Sequence, residues 1–150
     1  MKNVDIAVSG ADGSLQLVVE IKKVPGSSAE WATLMRRNLL AHAFLPPVPY
    51  FLLVLPDYLY LWTAASTADN LAKPDYKIDA NEIFAPYLKS ELSLDVLSRY
   101  GLELITISWL GDLLDIDSRN GSVDGNSQWL FDSGLSEAIS NGSIELEETT

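Results

Sequence analysis

The chain has no cysteine and a single histidine, His42, among its 150 residues. Disulfides, thiolate zinc sites and multi-histidine metal centres are therefore excluded. Positive charge is scarce as well. Ten Lys and Arg stand against 21 Asp and Glu, a formal net charge of −11. That excludes the broad basic surface that holds nucleic acid without regard to sequence. Long apolar runs are missing, and the longest, Tyr50 to Leu55, is far too short to span a bilayer. There is no N-terminal signal pattern, internal repeat, glycine-rich phosphate loop or nucleophile motif. The expectation is a cytoplasmic protein with no membrane partner.

What is present suits one α/β domain over residues 1–150. The hydrophobic fraction of 47% is that of a globular chain long enough to bury a core. The acidity is unevenly placed. Residues 1–50 carry five Lys/Arg and four Asp/Glu, net +1, whereas residues 111–150 carry one Arg and nine Asp/Glu, net −8. The N-terminal third can thus tolerate a phosphate backbone locally.

That third opens with two alternating runs around a turn rich in Gly and Asp (Gly10, Asp12, Gly13), a hairpin signal. Val4, Ile6 and Val8 alternate in the first arm, and Leu15, Leu17, Val19 and Ile21 in the second. With Gly10 to Gly13 as the loop, Val8 pairs with Leu15, Ile6 with Leu17 and Val4 with Val19, so all share one face. Asp5 then falls opposite Val18 with Glu20 as its diagonal neighbour, roughly 7–8 Å away at the backbone. Lys22 lies two residues beyond Glu20 on the same face. Two carboxylates at that separation can share one Mg²⁺ (or Mn²⁺) and leave positions for water and phosphate. The metal would activate water and screen phosphate charge, and a lysine can steady the developing charge.

This arrangement resembles the PD-(D/E)XK nuclease superfamily, in which an aspartate on one strand precedes a Glu-x-Lys on the next. Asp5, Glu20 and Lys22 occupy those places, with Val4-Asp5 where the family often has Pro-Asp. The resemblance implies a restriction-endonuclease-like mixed sheet and Mg²⁺-dependent phosphodiester hydrolysis. Asp5 and Glu20 would bind the metal, and Lys22 would position water.

Val24-Pro25-Gly26 ends the second arm. Ser27 and Glu30 form a capping-box pattern, and a helix should run to about Ala43, where Leu45-Pro46-Pro47 stops it. Trp31, Leu34, Met35 and Leu39 share its apolar face, with Asn38 and His42 in the middle of it and Arg36 and Arg37 elsewhere. Buried polar groups need partners, which backbone groups can supply. One nuclease branch carries Gln-x-x-x-Tyr on this helix. Asn38 and His42 match its spacing but not its residue types, and are candidate accessory residues only through that likeness. Tyr50 to Leu55 fits a strand buried on both faces, and Tyr58 to Trp62 a strand paired with it. The strand-strand-helix-strand-strand order over residues 3–62 matches the second half of the family core. Ala29-Glu30-Trp31-Ala32 and Tyr50 to Trp62 also resemble cyanobacterial proteins with this core, a likeness that implies no activity.

Residues 63–81 read as a surface loop, and 81–150 as a helical, acidic extension. Short helices are expected at Asn81–Leu88 and from Ser93 to Tyr100 with Gly101 as a stop. A strand is expected at Leu102–Ile107, then helices at Ser108–Asp115 and Gln128–Ser140, the latter broken near Gly134. Arg119 to Asn126 reads as a loop, Ser143–Leu146 as a short strand, and Glu147–Thr150 as frayed. Trp109 and Trp129 read as core.

The leading function is a Mg²⁺-dependent nuclease, with nucleic acid as a candidate partner despite the missing basic patch. The alternative, favoured by the acidity, is a catalytically silent nuclease-like module that binds protein. A purely structural hairpin, with Glu20 and Lys22 as an exposed charge pair, is a third reading. The family's N-terminal helix and strand are lacking ahead of Asp5, which leaves the first arm with an open edge. An upstream start, the chain's own segment 102–107 or 143–146, or a second chain could cover it. Homodimerisation or another intermolecular covering is the favoured expectation.

Overall fold

The alternating arms pair as β1 (Ile6–Ser9) and β2 (Leu15–Ile21), an antiparallel hairpin, in a computed structural model that describes residues 4–24, 28–42, 47–88, 93–115 and 128–146. The register corrects the expected one. Ile6 faces Val19, Ala7 faces Val18 and Val8 faces Leu17, yet Ser9 faces Leu15. Gln16 is thus an extra residue on β2, a bulge. Its cause lies in the turn. Asp12 Oδ1 accepts from the Ser14 N–H (2.9 Å) and hydroxyl (2.6 Å), Gly10 N–H donates to Ser14 O (2.9 Å), and Gly13 takes φ 84°. The loop therefore extends to Ser14, and the bulge absorbs the odd residue. Leu17, Val19 and Ile21 keep the face of Ile6 and Val8, whereas Leu15 and Val4 pack with the opposite cluster.

Four further strands complete a six-stranded mixed sheet: β3 (Tyr50–Val54), β4 (Tyr58–Trp62), β5 (Tyr76–Asp79) and β6 (Ser143–Leu146). The order is β5-β4-β3-β2-β1-β6. Only β2 and β3 run parallel, joined by the crossover helix α1 (Ala29–His42). The continuous apolar run of β3 is buried throughout because the sheet is covered on both faces. Tyr50, Leu52 and Val54 face one cluster, and Phe51, Leu53 and Leu55 the other.

The first cluster lies under α2 (Ala80–Phe84), α3 (Arg99–Leu114), α4 (Gln128–Asp132) and α5 (Leu135–Ile139). Each fully buried aliphatic side chain there contributes about 1.5–3 kcal/mol. Trp109 and Trp129 belong to this core, with ring centroids 6.1 Å apart. The break near Gly134 is present, with φ 83° between α4 and α5. No helix among the described residues is long and apolar enough to cross a membrane.

Several expected elements are different. The segment 102–107 is not a strand but the middle of α3. Leu102, Thr106, Trp109, Leu110 and Leu113 form a buried helical stripe instead. Gly101 does not stop a helix, since its N–H is capped by Ser98 Oγ at 3.0 Å in the first turn of α3. Ser93 precedes only a 3-10 turn, Leu94–Val96. β5 emerges from the expected loop. The capping position of α1 is taken by Ser28, whose Oγ accepts from Trp31 N–H (3.1 Å), while Ser27, Pro25-Gly26, Leu45-Pro46, Arg119–Asn126 and Glu147–Thr150 lie outside the described residues.

The open edge of β1 is covered by the chain itself. β6 pairs antiparallel with β1, Ile6 facing Leu146 and Val8 facing Ile144. The favoured intermolecular covering is therefore corrected, and the ground for a homodimer at this edge is removed.

Candidate functional site

The hairpin brings the predicted carboxylates together at its open end. The ladder ends at the pairing of Ile6 with Val19, and Asp5, in a bend just before β1, lies beside Glu20 and Ile21 of β2. The Asp5 carboxylate is close enough to act on Glu20. Both are buried, at 7% and 5% exposure, in a sheet layer where an unpaired charge is costly. Lys22 follows β2, anchored through its N–H to Val54 O at 3.0 Å, and its charge bears on Glu20.

The electrostatics follow from that burial. Glu20 is pushed up to about 8, first by loss of water and then by the negative charge of Asp5. Lys22 and Arg99 oppose the shift. A Glu20 raised that far keeps its proton at neutral pH.

Arg99 escaped the sequence reading. It is the first residue of α3, and its Nη2 lies 2.5 Å from Asp5 Oδ1. Its Nε donates to the main-chain oxygen of Ile21 at 3.3 Å. Asp5 Oδ2 accepts the Ile21 N–H at 2.8 Å, so this carboxylate is fixed from two sides. No local pattern announces such a contact. The Ser98 cap marks where the helix starts, but Ile21 lies 78 residues back along the chain.

The accessory pair is not brought into this group. α1 packs Trp31, Met35 and Leu39 against the sheet as expected, but Leu34 is 54% exposed, and Ala32 and Arg36 are buried in its stead. The small Ala32 lets the helix approach, and Arg36 finds carbonyl partners in the 63–75 loop. Asn38 consequently faces solvent rather than the apolar side, which corrects its expected place. His42 closes α1, and its side chain lies outside what the structure describes.

The donor set suits a hard divalent cation in type. Two buried carboxylates lie together, and the Ile21 carbonyl borders them through Arg99. Among the described residues no cluster of three or more His, Asp or Glu side chains is assembled. Water, the carbonyl and phosphate oxygens would have to complete an octahedron. Two clefts, of about 490 and 280 Å³, open between the second half of α1 and the 63–75 loop, and neither is lined by Asp5, Glu20 or Lys22.

No family model, curated protein or solved structure matches the chain.

Proposed function

We propose that the chain is a Mg²⁺-dependent phosphodiesterase of the PD-(D/E)XK, restriction-endonuclease-like type, acting on nucleic acid in the cytoplasm. The observation that carries this reading is the burial of Asp5 and Glu20 side by side at the end of the hairpin, with Lys22 two residues on, before the helix that crosses to a parallel strand. β6 lies beside β1, the strand that Asp5 leads into. A bound Mg²⁺ would lower the pKa of its water and screen phosphate charge. Asp5 and Glu20 would hold that ion, Glu20 after giving up its proton. Lys22 would orient the attacking water and offset charge on the phosphate.

A second reading, a catalytically silent protein-binding module, is favoured by the engagement of Asp5 with Arg99 and by the net charge of −11. One assay separates the two. Plasmid, linear duplex, single-stranded DNA and RNA are incubated with Mg²⁺ or Mn²⁺. The nuclease reading expects cleavage that Glu20→Ala and Lys22→Ala each abolish. Cleavage that survives both changes comes from a contaminant, and none on any substrate leaves the silent module.

A further inference from the structure

Hard divalent cations bind carboxylate and carbonyl oxygens. Two such oxygens converge beside Glu20: Asp5 Oδ1 and the main-chain oxygen of Ile21. One guanidinium already holds both. Arg99 Nη2 is 2.5 Å from the first, and its Nε is 3.3 Å from the second. We infer that Arg99 is a built-in cation that occupies the metal-ligand oxygens and must withdraw before a divalent ion can load, so its side chain gates the site. This rests on the reading of Asp5 and Glu20 as metal ligands.

The local construction suits a gate. The Arg99 side chain is 44% exposed, so it can swing into solvent without emptying the core. The turn that carries it stays fixed, because Ser98 Oγ caps Gly101 and Leu102 is buried one turn on. Asp5 stays aimed when the guanidinium leaves, since its Oδ2 is held by the Ile21 N–H. The guanidinium end of the pair is half-exposed, so a divalent cation that takes over the Asp5 charge can replace it without leaving the buried carboxylate unpaired. The released fork is then free to take two oxygens of a phosphate ester, the partner its planar geometry fits best.

Mn²⁺ binding to the full chain tests this by titration calorimetry, with Mg²⁺-induced movement of the Arg99 Nε–H resonance as a second readout. Arg99→Gln should bind Mn²⁺ about tenfold more tightly than the wild type. Lys22→Gln, which removes a neighbouring charge that does not sit on these oxygens, should gain clearly less. Adding Glu20→Gln to Arg99→Gln should abolish binding. In the wild type, saturating Mg²⁺ should move the Arg99 resonance. Should Arg99→Gln fail to fold, Arg99→Lys carries the test. It keeps the charge, loses the fork and should still bind more tightly than the wild type. Equal affinities in wild type and Arg99 variants, or equal gains from Arg99→Gln and Lys22→Gln, would overturn the gate. If Glu20→Gln still abolished binding in that case, the metal reading would survive alone. No binding in any variant would overturn both.

Discussion

Arg36 sets its guanidinium 5.3 Å from the centroid of the Trp62 ring, in the layer between α1 and the sheet. The same group lies 5.8 Å from the Phe51 ring and is 2% exposed. Nη1 donates to Asp69 O at 2.8 Å and Nη2 to Thr67 O at 2.6 Å. A residue that looked like helix surface in the sequence therefore fastens the 63–75 loop to the fold. Trp62 Nε1, donating to Ala72 O at 2.8 Å, fastens it a second time.

Arg36→Ala should cost about 2–4 kcal/mol, because it removes packing and strands carbonyls that a buried charge had satisfied. Arg36→Met keeps the stem against the rings and should cost less. Urea unfolding reads both. Matching midpoints for wild type and Arg36→Ala would show that the loop does not depend on this contact.

Glu20 predicts the pH dependence of stability. Its pKa rises from the ordinary 4.5 to about 8 on folding. Between those values the folded chain binds the proton and the unfolded chain does not. Stability must therefore fall as pH rises across that window. The contribution is complete below about pH 4.5 and gone above about 8. Glu20→Gln, which cannot ionise, should flatten the slope between pH 5 and 8 by up to about one proton's worth. Urea midpoints at pH 5, 6.5 and 8 check it. A parallel slope in the variant would mean that Glu20 enters the fold already ionised.

These two residues also show what the sequence discloses and what it hides. β1, β2, β3, β4, β6 and the break at Gly134 were legible, because period-two alternation and turn residues act over a few positions. The hairpin register was misread by two residues, since one bulge at Gln16 follows from an Asp12–Ser14 turn bond that alternation does not record. The face of α1 was legible in Trp31, Met35 and Leu39 but misread at its margin, because hydrophobicity weighs Leu34 above Ala32 and Arg36. In the fold, small size and carbonyl partners decided instead. Asp5, Glu20 and Lys22 were legible as one group through the hairpin. Arg99 was not, because the packing of α3 against β2 sets its contact with Asp5.

Tyr50 and Gly134 join the start of β3 to the α4–α5 corner. Tyr50 Oη donates to Ser133 O at 2.9 Å, and a Cβ added at Gly134 would lie 2.8 Å from that hydroxyl. Gly134 also needs φ 83°, a region costly for residues with a side chain. Gly134→Ala should lose about 1–3 kcal/mol from strain and contact together, and Tyr50→Phe about 1 kcal/mol from the hydrogen bond. In the double variant the losses should be less than additive, because removing the hydroxyl makes room for the methyl. Strict additivity in thermal unfolding would mean that the contact contributes nothing to the glycine requirement.

β6 reaches the edge of β1 through Gly142, and that approach leaves no room for a side chain. A Cβ there would lie 1.8 Å from Ser9 O and 2.9 Å from Ile139 O. Gly142→Ala should therefore push β6 off β1 and cost about 2–4 kcal/mol, among the larger single-residue effects. Deleting residues 143–150 goes further. It strips Ile6–Ser9 of its outer partner and exposes unpaired N–H and C=O groups along an apolar strand, the template for edge-to-edge association. Sedimentation should show the truncated chain self-associating at concentrations where the full chain does not. Amide exchange at Ile6–Ser9 should accelerate in Gly142→Ala, while amides of β3, flanked by β2 and β4, change little. Equal exchange at β1 in variant and wild type would show that the edge does not depend on β6 for cover.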